Sequence, residues 1–276
     1  MRNRSPDRRT ADWIDRVEIV HGSFDDTTAL RECLSVAPGD VFFHLAWTGV
    51  KADFRNQAYQ ISTNVAGTLH LWELANQSGC KHWIGLGSQA EYGFYQCALH
   101  ENLPTRPVSA YGVAKLACGM LTAKMSELAG MRHSTVRLVS AYGPGDDPRT
   151  MIPSIIKTLL DGGTPAMTKG EQVWDYLYVD DAARALCSIA ESGAVGVFNL
   201  ASGTTVRIRE VAEQIRDLID PHLGLGLGQL PYRPDQIMHL EGDISRLTST
   251  TQWKPQVSLE AGLSRTVDWF RSENAA

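Results

Sequence analysis

Short apolar segments alternate with longer amphipathic segments along this chain, and this alternation constrains the fold more than any other feature. Near-continuous apolar strands that alternate with helices are typical of a parallel sheet covered by helices on both faces. We therefore predict an α/β fold with a doubly wound parallel sheet. The predicted strands are residues 17–20, 40–46, 82–87 and 134–139, and the predicted helices are residues 27–37, 61–78 and 110–129.

The pattern changes after Pro144, where helices dominate. We predict a first domain over residues 1–142 that carries the sheet. A smaller lobe follows over residues 143–276, with some of its elements returning to the main sheet. The predicted elements of the lobe are helices at 151–160, 180–191, 206–219 and 259–270, strands at 177–179 and 197–200, and a Gly-rich stretch at 224–228.

Composition excludes several classes of protein. A net charge of −5 gives no basic surface for nucleic acid or anionic lipid. No apolar run approaches the roughly 18 residues of a spanning helix, and none follows the basic start as a secretory signal would. The 5 cysteines are odd in number and never form C-x-x-C, which favours reduced thiols in the cytoplasm. The 8 histidines lack a ligand spacing, so we expect no metal site.

Tyr111 and Lys115 lie four residues apart on a predicted helix, and Ser88 directly follows a predicted strand. Residues at i and i+4 share one helix face. A nearby ammonium group lowers the pKa of a phenol, which is about 10 in isolation, toward the range of a general acid/base. The Ser88 hydroxyl can hold a substrate oxygen against that phenol. An alternative is a surface helix that merely carries an aromatic residue and a lysine.

Several further motifs occur in a fixed order, and together with this trio the chain resembles the extended short-chain dehydrogenase/reductase family. This family comprises nucleotide-sugar epimerases, dehydratases and ketoreductases. The resemblance covers nearly the whole chain. The motifs are His44-Leu-Ala46, Asn64-Val-Ala-Gly-Thr68, Ser88 with Tyr92-Gly93, Tyr111 to Lys115, Tyr142-Gly-Pro144, Val179-Asp-Asp181, Phe198-Asn199 with Gly203, and Asp243 to Pro255.

The resemblance implies a Rossmann-like domain that binds NAD or NADP, and it assigns the catalytic roles. Tyr111 would be the general acid/base, Lys115 would lower its pKa and bind the nicotinamide ribose, and Ser88 would orient the sugar C4 oxygen. The alternative for Leu45, Ala46 and Val139 is that they are simply buried in the sheet. The alternative for Asn64 is that it only holds the preceding loop in place. The residues expected to contact the cofactor are Ser23, Phe24, Leu45, Ala46, Trp47, Asn64, Tyr111, Lys115 and Val139.

The implied substrate is a nucleotide-diphosphate sugar bound by a homodimer, with expected contacts from Gln89 and Ser140. Many family members have Arg-Asp before the V-x-D strand as a phosphate contact, whereas this chain has Trp174-Asp175. Trp174 would then stack on a base or belong to the core. Arg233 becomes the expected diphosphate partner, because a guanidinium matches phosphate oxygens.

Two other departures from the family pattern bear on function. The 4,6-dehydratases carry Asp-Glu after the catalytic Thr or Ser, whereas this chain has Gln89-Ala90, which argues against water elimination. The chain also has no G-x-x-G-x-x-G turn, and residues 17–20 match the third strand of the family. Either the natural protein begins upstream of Met1, which we favour, or the sheet has rearranged and cofactor binding is weakened.

These features predict an NAD(P)-dependent 4-ketoreductase of an NDP-4-keto-6-deoxysugar. A nucleotide-sugar 4-epimerase is the alternative enzyme, because it uses the same three residues but retains its cofactor. A catalytically inactive nucleotide-sugar or dinucleotide-binding protein is the alternative of another class, and the missing Gly-rich turn favours it.

Overall fold

The computed structural model describes residues 14–23, 30, 39–50, 52–234 and 236–274, which form strands and helices in alternation. The strands are β1 (Val41–His44), β2 (His82–Ser88), β3 (Arg132–Leu138), β4 (Ala141–Tyr142), β5 (Ala166–Met167), β6 (Val173–Asp175), β7 (Leu177–Tyr178), β8 (Gly196–Leu200), β9 (Thr205–Arg207), β10 (Gly226–Leu227) and β11 (His239–Leu240). The α-helices are α1 (Ala66–Gln77), α2 (Ala110–Ala129), α3 (Met151–Leu160), α4 (Val179–Ser192), α5 (Ile208–Ile219), α6 (Ser245–Thr251) and α7 (Leu259–Asn274).

A four-stranded sheet in the order β1-β2-β3-β8 forms the centre of the molecule, and all its pairings are parallel. Helices cover both of its faces, because successive side chains of a strand point to opposite sides. Trp83 of β2 packs in a cluster with Leu71 and Trp72 of α1. The next residue, Ile84, packs on the other face against Ile189 of α4. The predicted α/β fold with a parallel central sheet is therefore confirmed.

The chain after residue 142 builds a second hydrophobic core from three helices. Ile156 of α3, Ile215 of α5 and Val267 of α7 belong to one buried cluster, which also includes Tyr142 and Tyr178. From the same part of the chain, β8 returns to the main sheet and pairs with β3. Within the described ranges, no helix has both the length and the apolar character needed to cross a membrane.

The structure differs from the sequence-based prediction at one whole element and at the ends of several others. The predicted strand at residues 17–20 is wrong: the segment follows a 3-10 turn at Ile14–Arg16 and belongs to no strand. Val17 and Ile19 are about half exposed there, so neither is buried in a sheet. The helix predicted from residue 206 begins at Ile208, after the short strand β9. The helix predicted at residues 27–37 lies outside the described residues, apart from Leu30.

Candidate active site at the carboxyl ends of the parallel strands

The parallel register brings the ends of the four central strands to one edge of the sheet. Ser88, the last residue of β2, pairs with Leu138, the last residue of β3, and Leu138 pairs with Leu200 at the end of β8. The segments after β1 and β3 contain four of the nine predicted cofactor residues, Leu45, Ala46, Trp47 and Val139. In open α/β sheets, ligands bind in the crevice outside these carboxyl ends.

Helix α2 carries Tyr111 and Lys115 to this edge. The helix begins after Ser109, whose hydroxyl accepts a hydrogen bond from the Gly112 N–H. The Tyr111 side chain is buried, and the Ser88 side chain lies near enough to lower the pKa of its phenol. The edge of its ring meets the indole of Trp47, with 5.9 Å between the ring centroids. The structure thus brings together the serine and the tyrosine that the sequence singled out.

The ammonium group of Lys115 is buried and turned toward neutral partners. Its Nζ donates to the Leu86 carbonyl oxygen at 2.7 Å and lies 3.9 Å from the centroid of the Trp47 ring. Burial lowers the pKa of Lys115 to about 8, and the Glu91 carboxylate opposes this shift. An ammonium has three N–H donors, so two of them are not used by Leu86. Lys115 can therefore reach hydroxyl groups of a ligand in this crevice.

The pKa of Tyr111 is raised, so the predicted direction of its shift is wrong. Burial has the largest effect and disfavours the phenolate. The hydrogen bond from Ser88 and the charge of Arg55 lower the pKa but do not reverse the shift. The Lys115 Nζ lies 6.0 Å from the centroid of the Tyr111 ring, and its hydrogen bond points to Leu86. Tyr111 is consequently protonated at neutral pH.

The loop after β1 is fixed by two buried amide side chains. Asn64 donates to the Thr48 carbonyl oxygen and accepts from the Thr48 N–H, each at 2.9 Å. Gln60 donates to the Gly49 carbonyl oxygen at 2.7 Å and accepts from the Trp47 indole N–H at 3.0 Å. Both amides lie in a π-helical turn, Gln60–Val65, a feature frequent at functional sites. Asn64 therefore pins the loop, and Gln60 is a supporting residue that the sequence analysis missed.

The other predicted cofactor residues differ in exposure. Leu45 and Ala46 are exposed directly after β1, so the alternative that the sheet buries them is wrong. Val139 is buried in a cluster with Tyr92 and Leu240. Ser23 is exposed in an isolated β-bridge. Phe24 lies outside the described residues.

A cavity of about 570 Å³ opens beside the segment that follows β3. Ser140 and Trp174, two of the predicted substrate residues, line it. Gln89 is half-buried in the 3-10 turn after Ser88, and Arg233 is exposed; neither of them lines the cavity. Among the described lining residues Arg149 is the one basic side chain, and the sequence analysis missed it. Its position in a polar loop directly after Tyr142-Gly-Pro144 was the available signal.

In the described part of the chain, no group of three or more His, Cys, Asp or Glu side chains is arranged to hold a metal ion. His44, which lies near Lys115, is not charged at neutral pH. Burial, followed by the charge of Lys115, lowers its pKa to about 4. Its Nε2 lies 2.9 Å from the Thr68 hydroxyl, which makes His44 part of the support behind the site.

A parallel α/β sheet with Ser88, Tyr111 and Lys115 at its carboxyl edge defines an extended short-chain dehydrogenase/reductase. A family model described as "NAD dependent epimerase/dehydratase family" matches residues 1–201, and the chain belongs to this family. UDP-glucuronate 4-epimerase of Thermodesulfobacterium geofontis (strain OPF15) is 29% identical over 247 residues, which cover 88% of this chain and 76% of that protein.

Two other relatives show how wide the family is. The dTDP-glucose 4,6-dehydratase 1 of Escherichia coli (strain K12) is 27% identical over 291 residues, which cover 94% of this chain and 80% of that protein. The solved structure of RMD from Pseudomonas aeruginosa complexed with NADPH is 25% identical, with a TM-score of 0.84, and the match covers 93% of this chain and 90% of that one. The predicted resemblance to the extended family is confirmed.

Replacement of Tyr111 by Phe removes the phenol hydroxyl beside Ser88. We expect turnover to fall about 10²–10⁴-fold, the usual contribution of a general acid/base, with an unchanged circular dichroism spectrum. Tyr95→Phe is the matched control, because the Tyr95 hydroxyl donates only to the Pro104 carbonyl oxygen away from this trio. A Tyr111→Phe variant as active as Tyr95→Phe would remove Tyr111 from the catalytic assignment.

Proposed function

We propose that this chain is an NAD(P)-dependent nucleotide-sugar oxidoreductase, and specifically the 4-ketoreductase of an NDP-4-keto-6-deoxysugar. The observation that carries the proposal is the placement of a buried, protonated Tyr111 beside the Ser88 side chain and Lys115 at the carboxyl edge of the parallel sheet. Because its pKa is raised, the phenol is protonated at neutral pH and so carries the proton that a ketone oxygen takes up on reduction. Reduction of a ketone requires a proton donor of this kind.

Each member of the trio has a distinct part in this proposal. Ser88 holds the C4 oxygen of the sugar, and Tyr111 donates a proton to that oxygen as the ketone is reduced. Lys115 stabilises the negative charge that remains near Tyr111 and binds a ribose hydroxyl through the N–H donors that Leu86 does not use. Trp47, in contact with both Tyr111 and Lys115, closes one side of this space.

The residues present fit the nicotinamide end of NAD(P). Lys115 and Tyr111 suit the ribose, and the exposed Leu45 and Ala46 offer backbone and apolar contacts at the strand end. NAD(P) supplies the hydride when it is bound. Val139 would act through its backbone, since its side chain is buried. Asn64 would act by shaping the loop after β1, because its side-chain amide already bonds to Thr48 and Gln60.

The substrate is proposed to occupy the cavity of about 570 Å³ beside Ser140. Trp174 offers a ring surface to the nucleotide base, and Ser140 is a polar contact near the sugar. Arg149 lines this cavity whereas Arg233 does not, so Arg149 replaces Arg233 as our leading diphosphate partner. A guanidinium binds phosphate oxygens through paired N–H donors.

Water elimination is not part of the proposal, although dTDP-glucose 4,6-dehydratases are among the relatives. Elimination needs a second acid/base pair beside the catalytic hydroxyl. The positions after Ser88 hold Gln89 and Ala90, and neither carries an ionisable group. This argument does not distinguish reduction from epimerisation, because both reactions use the Ser88, Tyr111 and Lys115 set.

A 4-epimerase is the second candidate, and it is favoured by the similarity to UDP-glucuronate 4-epimerase. Incubation with NAD(P)H and UDP- or dTDP-linked 4-keto-6-deoxysugars separates the candidates. We expect consumption of NAD(P)H with formation of the 4-hydroxy product. Interconversion of UDP-hexoses at C4 without added reduced cofactor would instead identify an epimerase. Binding of these sugars without either reaction would identify a non-catalytic protein.

Cofactor binding by this chain is expected to be weak, with a Kd well above about 1 µM. The sequence has no Gly-rich turn to place backbone N–H groups against the pyrophosphate. Each hydrogen bond to a charged group contributes about 1.5–3 kcal/mol. Two lost bonds therefore weaken binding by roughly two to four powers of ten, at about 1.4 kcal/mol per tenfold.

Fluorescence titration with NADH and NADPH measures this affinity. Lys115→Met should weaken binding further, because it removes the donors proposed for the ribose, and it should change the pH dependence of turnover, because it removes a buried ammonium with a pKa of about 8. Low-micromolar binding by the unmodified chain would show that the pyrophosphate is held by another route.

We also propose a homodimer formed through α2. Val113, Met120 and Leu128 recur at a spacing of seven or eight residues and are 45%, 65% and 77% exposed, which gives this helix an uncovered apolar stripe. Light scattering should give the mass of a dimer, and Met120→Glu should shift it to a monomer. A monomeric unmodified protein would contradict this assignment.

A further inference from the structure

Ser88 is held in place by the side chain of Glu91, which takes no part in the proposed reaction. Ser88 ends β2 and caps the 3-10 turn Gln89–Glu91. Its hydroxyl oxygen accepts from the Ala90 N–H at 3.2 Å, and its own N–H donates to Glu91 Oε1 at 2.8 Å. Ser88 and Glu91, the first and last residues of this cap, form a capping box. Because the hydroxyl oxygen is an acceptor here, its proton stays available for Tyr111 or a substrate oxygen.

The other oxygen of Glu91 is bound to the neighbouring strand. Arg137 of β3 donates from Nε to Glu91 Oε2 at 2.7 Å, and both side chains are more than nine-tenths buried. Arg137 pairs in register with Gly87, the residue before Ser88, and a Cβ at position 87 would collide with Glu91 Oε1. The guanidinium also lies 4.5 Å from the centroid of the Tyr92 ring. Glu91 is therefore fixed from both sides, which fixes Ser88 in turn.

The Glu91 carboxylate also acts on the charges of the site. It raises the pKa of Lys115 against the effect of burial, and it raises that of Tyr111. Around these groups, Arg137 faces Glu91, Arg55 faces Tyr111, and the uncharged His44 and Cys118 lie near Lys115. Removal of the Glu91 charge would lower the pKa of Lys115, so the ammonium would lose its proton at a lower pH.

We propose that Glu91 is a positioning residue, which holds the Ser88 hydroxyl against Tyr111 through its bonds to the Ser88 N–H and Arg137 and places a buried negative charge behind the site. This inference rests on the proposed function of the Ser88, Tyr111 and Lys115 set. The positioning role depends on both the length and the charge of the Glu91 side chain. One conservative substitution changes its length, and another removes its charge.

Glu91→Asp keeps the charge but shortens the side chain by about 1.5 Å, so it cannot reach both Ser88 and Arg137. A misplacement of about 1 Å can cost about 10²-fold in rate. We expect kcat to fall by about tenfold to 10²-fold, with the alkaline limb of the pH–rate profile unmoved. Glu91→Gln keeps the shape but loses the charge, and we expect a lower kcat together with an alkaline limb at lower pH.

Glu127→Gln is the matched control, because Glu127 forms an exposed pair with Lys124 on α2. It should leave both kcat and the pH profile unchanged. If the role of Glu91 were purely structural, its variants would have a lower melting temperature, but their folded molecules would keep the kcat and the alkaline limb of the unmodified protein. Retention of kcat within about twofold by Glu91→Asp, or an unmoved limb in Glu91→Gln, would overturn the proposal. If Glu91→Gln does not fold, the kcat of Glu91→Asp decides.

The unmodified protein is assayed first, so that the two hypotheses fail separately. If it turns over no 4-keto sugar and epimerises no UDP-hexose, the proposed function fails. Crystal structures of the unmodified and Glu91→Asp proteins then decide the inference. A clear displacement of the Ser88 hydroxyl from Tyr111 in the variant supports it, and an unchanged Ser88 overturns it.

Discussion

The parallel pairing of β2 between β1 and β3 is the constraint on which the rest of the structure depends. It places Ser88 opposite Leu138, and the segments that follow β1, β2 and β3 therefore all lie at one edge of the sheet. Helix α2 packs on the same sheet and delivers Tyr111 and Lys115 to that edge. A shift of one residue in the register of β2 would turn Trp83 and Ile84 to the wrong faces, so the packing of the core and the geometry of the site are specified together.

The polar groups behind this edge are buried, and each has a specific partner. A buried charge is costly unless it is paired and hydrogen-bonded. Glu91 meets this condition through Arg137 and the Ser88 N–H. Asp175 of β6 meets it by accepting from the N–H groups of Ser202 and Gly203, which follow β8. The second carboxylate ties the cavity wall beside Trp174 to the main sheet. Neutral substitutions at either position would leave buried donors unpaired.

The sequence predicted the repeating elements well, because apolar periodicity directly reports which face of a strand or helix is buried. Helices α2 and α3 have the predicted bounds, and Ser88 and Tyr111 meet as their positions relative to the strands suggested. Tertiary effects were not predictable in the same way. The pKa of Tyr111 depends on burial, Gln60 lies in no motif, and Arg149 enters the cavity through a loop. Val17 and Ile19 have strand-like residue types, but they are exposed.

The central claim is that Ser88, Tyr111 and Lys115 direct reduction at C4 of a nucleotide sugar. The most direct measurement is the fate of a deuteride. With nicotinamide-deuterated NAD(P)H at millimolar concentration and an NDP-4-keto-6-deoxysugar, we predict that deuterium appears at C4 of the product with a single configuration. The rate at which the deuterated product forms should fall about 10²–10⁴-fold when Tyr111 is replaced by Phe. A product without deuterium at C4, or equal transfer in the absence of the Tyr111 hydroxyl, would contradict the account.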